Sequence, residues 1–358
     1  MSHSYDHGGN IFTVARTLGV TPAELLDFSA SINPLGMSPL VRTALVRSLD
    51  TLVHYPDSSH VEFKQALAEY HSLPARNFTI ANGSTELIYN MPPLLSGKKA
   101  LIISPSFSEY VRALNQHGWE AEHFVLTPES NFSIDMDMLE RVLEGGVDAL
   151  FFCNPGNPSG SLYPLNVIEQ IYTLCLSAGT FLILDEAFMD FCGEGSAKQM
   201  LVACDKAIIL RSMTKYFSIP GLRLGYAICN ESFAERMELM GGPWSVNTLA
   251  LVAGVAALHD TAHNRRTLEF VRQERTKLYE LLGQFSQLKL YPSTANYLLL
   301  EIMNNQTSSE IKEKLLLHRI LIRNCASFTG LTDKFFRIAV RTDEENMLLI
   351  EKLGRILK

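Results

Sequence analysis

Five short runs that are apolar at nearly every position, residues 100–103, 149–152, 181–184, 207–210 and 226–228, constrain this chain most. A strand that exposes one face to water alternates polar and apolar residues. A strand that is apolar throughout has both faces covered, as in a parallel sheet sandwiched between helices. With helical segments between the runs, residues 61–70 among them, the expected class is α/β with a mostly parallel sheet covered on both sides. Residues 245–275 read as a long or broken helical stretch leading out of this domain. Beyond it, strand-like runs at 295–301, 320–322 and 335–340, with helices near 309–318 and 344–357, predict a smaller α+β carboxyl-terminal domain joined by an amino-terminal arm. The expected division is 1–40 for the arm, 41–245 for the large domain and 246–358 for the small one, with the active site between the domains.

Chemistry gathers where the apolar runs end. The run 207–210 leads into Arg211-Ser212-Met213-Thr214-Lys215, and Arg223 follows eight residues later. A lysine amine can form a Schiff base with an aldehyde, while serine, threonine and arginine can bind phosphate. Together they describe a pocket for pyridoxal phosphate, although Lys215 alone also reads as a solvated surface lysine. The run 181–184 delivers Asp185 at its carboxyl end, where open α/β sheets bind ligands. A carboxylate there can pair with a protonated pyridine nitrogen, or serve as a helix N-cap. Glu186 reads as a support for the loop. After the run 149–152 comes Asn154-Pro155-Gly156-Asn157-Pro158-Ser159-Gly160, a rigid turn that either is purely structural or presents Asn157 to the ring oxygen of the cofactor.

These motifs resemble those of the fold-type I pyridoxal-phosphate enzymes, in the branch that holds histidinol-phosphate aminotransferases. The resemblance spans nearly the whole chain and implies a mostly parallel seven-stranded sheet and a homodimer. It implies Lys215 as the lysine joined to pyridoxal 5'-phosphate, Asp185 as the ring-nitrogen partner, Asn157 as donor to the ring oxygen, and Ser212, Thr214 and Arg223 around the phosphate. Gly83, Ser84 and Thr85 of Asn82-Gly83-Ser84-Thr85-Glu86 match a turn that opens a helix and holds the phosphate through its N–H groups. Phe107 matches the aromatic that stacks on the ring, and Tyr55 a tyrosine that reaches the phosphate across the dimer interface.

One position departs from the aminotransferase pattern. Three residues after the aspartate those enzymes carry a tyrosine, and this chain carries Phe188. Phe188, His7-Gly8-Gly9-Asn10, the segment 26–36, Pro243-Trp244-Ser245-Val246-Asn247 and the segments 319–325 and 336–341 are similar to those of the cobalamin-pathway L-threonine-O-3-phosphate decarboxylases. That resemblance implies a carboxy-lyase acting on a small phosphorylated amino acid; the alternative is an aminotransferase of the histidinol-phosphate type. It assigns Arg337 to the substrate carboxylate and Arg323 to its phosphate, with His7, Asn10, Ser31 and Asn33 completing the pocket. Arginine suits both anions because its planar fork binds oxyanions bidentately. Read from the residues alone, either arginine is also an ordinary strand-side charge, His7 a solvated arm residue, and Ser31 or Asn33 a turn former before Pro34.

Composition narrows the classes. A net charge of −7 argues against a nucleic-acid surface. No apolar stretch approaches a membrane span, and the polar opening Met1-Ser2-His3-Ser4 is unlike a signal peptide, so a cytoplasmic enzyme without membrane partners is expected. Cys153, Cys175, Cys192, Cys204, Cys229 and Cys325 are scattered without a paired or histidine-clustered spacing, so neither disulfide nor metal is expected.

Overall fold

The structure, a computed structural model, describes residues 8–357. Its strands in chain order are β1 (Leu26–Asp27), β2 (Phe78–Ala81), β3 (Lys99–Ser104), β4 (Glu120–Val125), β5 (Ala149–Cys153), β6 (Phe181–Asp185), β7 (Ala207–Ser212), β8 (Gly225–Cys229), β9 (Leu288–Leu290), β10 (Tyr297–Ile302), β11 (Ile320–Leu321), β12 (Arg323–Asn324) and β13 (Phe335–Ala339). Seven of them form one sheet in the order β2-β8-β7-β6-β5-β3-β4. Only β8 runs against its neighbours; every other pairing in the sheet is parallel.

The five apolar runs lie in β3, β5, β6, β7 and β8, and their alternate residues feed two different cores. Leu101, Leu150, Phe152, Leu182, Leu184 and Ile209 pack on one face. Ala100, Ile102, Ala149, Phe151, Ile183 and Ile208 pack on the other. This two-sided burial is why the runs show no alternation. The two edge strands fall outside the runs. β4 carries Glu120, Glu122 and His123 because one of its sides is open to water, and β2 is only four residues long.

The helical stretch 245–275 is two helices, Thr248–His259 and Thr261–Leu282, parted at Asp260. The Asp260 carboxylate accepts from Ser38 Oγ and, at 3.1 Å, from the His263 N–H, capping the second helix. The first helix lies beyond the expected 245/246 division, yet it packs on the large-domain helices Pro39–Arg47 and Val61–His71 rather than on the smaller sheet. Its sequence is apolar on every side, and Gly254 admits Phe63, whose ring would lie 2.5 Å from a Cβ at that position.

The smaller sheet has the antiparallel order β12-β13-β10-β9. Residues 320–324 do not form one strand. β11 pairs in parallel with β1, which ties residues 26–27 to this part of the molecule, and β12 pairs with β13. The switch brings Arg323 directly opposite Arg337 in register.

Candidate active site

A cavity of about 660 Å³ opens at the carboxyl ends of β5, β6 and β7, lined there by Cys153, Asp185 and Ser212 and on the far side by residues of β12, β13 and the segment 27–32. It brings together Lys215, Asp185, Asn157, Ser212, Thr214, Arg223, Ser84, Thr85, Phe107, Ser31, Arg323 and Arg337, twelve of the residues expected from sequence.

Lys215 Nζ donates to Ser212 Oγ at 3.1 Å and lies 5.4 Å from the centre of the Phe188 ring. Burial pulls the amine down to about 8, against the attraction of Asp185 and with help from the nearby Arg223 and Arg337 charges. An amine so tuned is substantially neutral, and therefore nucleophilic, in mildly alkaline solution. Asp185 is buried at the end of β6, where Oδ1 accepts from the Ala187 N–H at 2.9 Å and Oδ2 from the Tyr110 hydroxyl. Burial pushes this carboxyl upward, while the Tyr110 and Ala187 bonds and the Lys215 charge hold it down. A further cation in the cavity would favour its ionised form.

The turn after β5 is held on both sides. Asn154, wholly buried, accepts from the Tyr163 N–H at 2.8 Å and donates to the Tyr163 carbonyl at 3.2 Å, and Tyr297 donates its hydroxyl to the Gly156 carbonyl at 2.7 Å. Asn157 Oδ1 accepts from Arg337 Nη1, which leaves the Asn157 amide as a donor at the cavity wall.

Two glycines shape the opposite wall. Gly83, at φ +84° ahead of the helix Ser84–Asn90, lies under the Arg223 guanidinium, and a Cβ there would meet Nη2 at 2.5 Å. Gly225 backs onto the same turn: its Cβ would lie 2.3 Å from the Ser84 nitrogen and 2.7 Å from the Gly83 carbonyl carbon. With Ser84, Thr85, Ser212 and Thr214 these groups form a recess of hydroxyls, backbone N–H groups and one guanidinium, which fits a phosphate. Gly225→Ala is expected to push the Gly83–Ser84 backbone out of place. Thermal melting should show a loss of about 1–3 kcal/mol, and titration of the apoprotein with pyridoxal phosphate a weakened affinity.

On the far wall Arg337 and Arg323 are both more than nine-tenths buried. Arg337 donates to Asn157 and, at 3.1 Å, to the Ser29 carbonyl; its Nε, also buried, has no hydrogen-bond partner among the described residues. Burial and the neighbouring Arg323 charge hold Arg337 below the usual arginine value. Arg323 donates to Ser327 Oγ at 2.9 Å and stacks over Phe328 at 5.2 Å. Two buried guanidinium groups on directly paired strands favour an anion between them and the solvent.

Four of the expected residues are not among these. His7 lies outside the described residues. Asn10 is exposed, precedes the helix Ile11–Leu18 without a side-chain capping bond, and is not on the cavity wall. Asn33 is not a pocket residue either. Its Nδ2 donates to the Tyr216 carbonyl at 2.9 Å and Thr267 Oγ1 at 3.0 Å, its Oδ1 accepts from the Leu35 N–H, and its own N–H donates to the Lys215 carbonyl. It braces the lysine-bearing turn, and all its N–H donors are engaged there. Tyr55 is 78% exposed outside the cavity, stacked on Trp244 with ring centres 4.4 Å apart.

Several wall residues went unread in the sequence. Tyr110 follows Phe107 by three residues at the start of a helix, a spacing that points both toward one side and was the available signal. Ser327 and Phe328 meet Arg323 only because the chain turns after β12. Gly8 and Gly9 reach the cavity over Ser29: the Gly9 N–H donates to Ser29 Oγ at 2.9 Å, and a Cβ on Gly8 would fall 2.1 Å from the Ser29 carbonyl oxygen.

Comparison with known proteins agrees with this geometry. Residues 23–353 match the family described as aminotransferase class I and II. The chain is 40% identical, over 98% of its length and 96% of the relative's, to threonine-phosphate decarboxylase of Salmonella typhimurium. Among solved structures, the histidinol-phosphate aminotransferase of Clostridium acetobutylicum superposes with a TM-score of 0.86 at 29% identity, over 93% of this chain and 99% of that one. The L-threonine-O-3-phosphate decarboxylase of Porphyromonas gingivalis does so with a TM-score of 0.81 at 25% identity, with the same coverage.

Proposed function

The chain belongs to the class I and II aminotransferase family, and from that premise we propose that it decarboxylates L-threonine O-3-phosphate with pyridoxal 5'-phosphate, yielding CO₂ and (R)-1-amino-2-propanol O-2-phosphate for cobalamin assembly. The observation that carries this reading is the pair Arg323 and Arg337, buried in one cavity with Lys215 and fitted to a substrate with two anionic groups.

The cavity wall suits the cofactor. Arg223, Ser212, Thr214, Ser84, Thr85 and the Gly83 turn would hold its phosphate, Phe107 its ring face, Asp185 its ring nitrogen and Asn157 its ring oxygen. When bound, pyridoxal phosphate supplies an aldehyde that takes an amine and a cationic ring that accepts the electron pair of a bond broken at the α-carbon. The residues of this chain then decide which bond that is. Arg337, fixed by Ser29 and Asn157, takes the substrate carboxylate, and Arg323, backed by Ser327, takes the phosphate. Two anchors would fix the rotation about the α-carbon and so select which of its bonds is broken. Asp185 stays ionised to keep the ring nitrogen protonated. Phe188, backed by Tyr297 in edge contact at 5.0 Å, sets an apolar face beside Lys215. As the carboxyl carbon leaves as CO₂, Lys215 Nζ delivers the proton that replaces it on the α-carbon.

A homodimer is part of the same reading. Val46, Leu49, Leu52, Val53, Tyr55, Leu239 and Trp244 are all exposed along 46–55 and 239–244, an apolar surface for a second copy to cover, and the family resemblance assigns Tyr55 to the phosphate of that second copy.

The phosphate anchor is tested by competition between phosphothreonine and threonine. The wild-type enzyme is expected to favour phosphothreonine strongly in kcat/KM. Arg323→Ala should lower kcat/KM for phosphothreonine by about 2–5 kcal/mol, roughly thirtyfold to several thousandfold, and leave threonine little changed. An unchanged preference would reject the assignment.

A further inference from the structure

We propose that Tyr110 is a positioning residue that acts through Asp185, fixing the carboxylate that meets the cofactor's ring nitrogen and bracing Phe107 on the ring face. The proposal rests on the pyridoxal-phosphate reading above.

Tyr110 sits in the first turn of the helix Glu109–Gln116 and is wholly buried. Its hydroxyl donates to Asp185 Oδ2, while Oδ1 is occupied by the Ala187 N–H, so the carboxylate is held at both oxygens. The same ring meets Phe107 edge-on, with centres 5.9 Å apart and planes at 86°, and lies 5.2 Å from Phe151 of β5. One side chain thus links two contacts that the cofactor ring would make, one at its nitrogen and one at its face. Burial and the charge of Asp185 push the phenol well above its ordinary pKa, so it remains an O–H donor at any working pH.

A donor to an ionised carboxylate lowers that carboxylate's proton affinity. Asp185 and the ring nitrogen would share one proton, and its position decides how well the ring accepts electrons. The Tyr110 bond lowers the proton affinity of the carboxylate and so would favour the proton on nitrogen; losing the bond would shift the shared proton toward Asp185.

The test uses apoprotein loaded with pyridoxal phosphate carrying ¹⁵N at the ring nitrogen, observed by NMR. In the wild-type protein at neutral pH the resonance should lie at the protonated position. In Tyr110→Phe the ratio of nitrogen-protonated to carboxyl-protonated forms should fall about ten- to hundredfold, carrying the resonance toward the unprotonated position while the circular dichroism stays unchanged. A fluorotyrosine at position 110, nearly isosteric and a stronger donor, should hold the resonance at or beyond the wild-type position; it carries the test alone if Tyr110→Phe does not fold, and displacement toward the unprotonated side would then overturn the proposal. Cofactor uptake with an unmoved resonance in Tyr110→Phe overturns the role of Tyr110 and leaves the cofactor reading standing. No uptake by the wild-type apoprotein overturns both.

Discussion

Lys215→Ala is expected to abolish the visible absorbance of protein-linked pyridoxal phosphate and to lower turnover by at least about 10³-fold, because in the proposed mechanism one amine both captures the aldehyde and returns the proton. Its surroundings make the effect specific. Nζ has a Ser212 hydroxyl at 3.1 Å and an aromatic face at 5.4 Å, and alanine leaves no other lysine on the cavity wall among the described residues. The pH dependence of cofactor capture by the wild-type apoprotein is a second signature. Burial lowers the amine to about 8, so capture should speed up about tenfold per pH unit below 8, as the neutral amine becomes more abundant, and level off above it. Stopped-flow absorbance checks the rate, and steady-state assay checks turnover. A Lys215→Ala enzyme with normal turnover would remove Lys215 from the mechanism.

The second large effect concerns stability. Arg211 is buried on β7 between two buried carboxylates, donating to Glu186 Oε2 at 2.9 Å and to Asp190. Glu186 also receives the Ser196 hydroxyl at 2.6 Å and the Ala197 N–H at 2.8 Å, so the ion pair fastens the loop after β6 to β7. Arg211→Leu would leave both carboxylates without their cation, at a cost of about 3–5 kcal/mol. For a chain of 358 residues that corresponds to about 4–7 °C in melting temperature. The sign with pH follows from Glu186. Burial already raises its carboxyl, with Arg211 as the largest opposing influence, so losing Arg211 raises it further. A carboxyl raised above its unfolded value is tolerated when protonated and costs stability as pH rises through its folded pKa. The deficit should therefore be larger at pH 8 than at pH 5, and Arg211→Leu/Glu186→Gln should recover part of it. Calorimetry at both pH values would show this, and a deficit independent of pH would contradict the buried-pair account.

How far the sequence could be read depended on whether a residue's role lay in its own neighbourhood. β3, β5, β6 and β7 were legible because burial on two faces leaves an unbroken apolar run, whereas β4, with glutamates on an open edge, carries no such signal. That Lys215, Asp185 and Asn157 share one cavity was legible because a parallel sheet collects its carboxyl ends at one place. The bracing bonds of Asn33 were not legible because its partners, Tyr216 and Thr267, lie 183 and 234 residues away; nothing in Ile32-Asn33-Pro34 distinguishes a pocket donor from a brace. Arg323 and Arg337 could be named from sequence, but their direct pairing required the break at Ile322 that sends β11 and β12 to different sheets. Tyr110 stayed hidden because its hydroxyl acts across 75 residues on an acid whose own role was already assigned.

In the proposed mechanism the two buried arginines make the bond to the carboxylate, rather than the bond to the α-hydrogen, the one that breaks. The most direct measurement incubates the cofactor-loaded enzyme with O-phospho-L-threonine labelled with ¹³C at the carboxyl carbon and follows the label by NMR. The label is expected to leave as CO₂ and bicarbonate in step with the appearance of aminopropanol phosphate. Retention of the label in the amino acid, together with amino transfer from histidinol phosphate to 2-oxoglutarate, would contradict it.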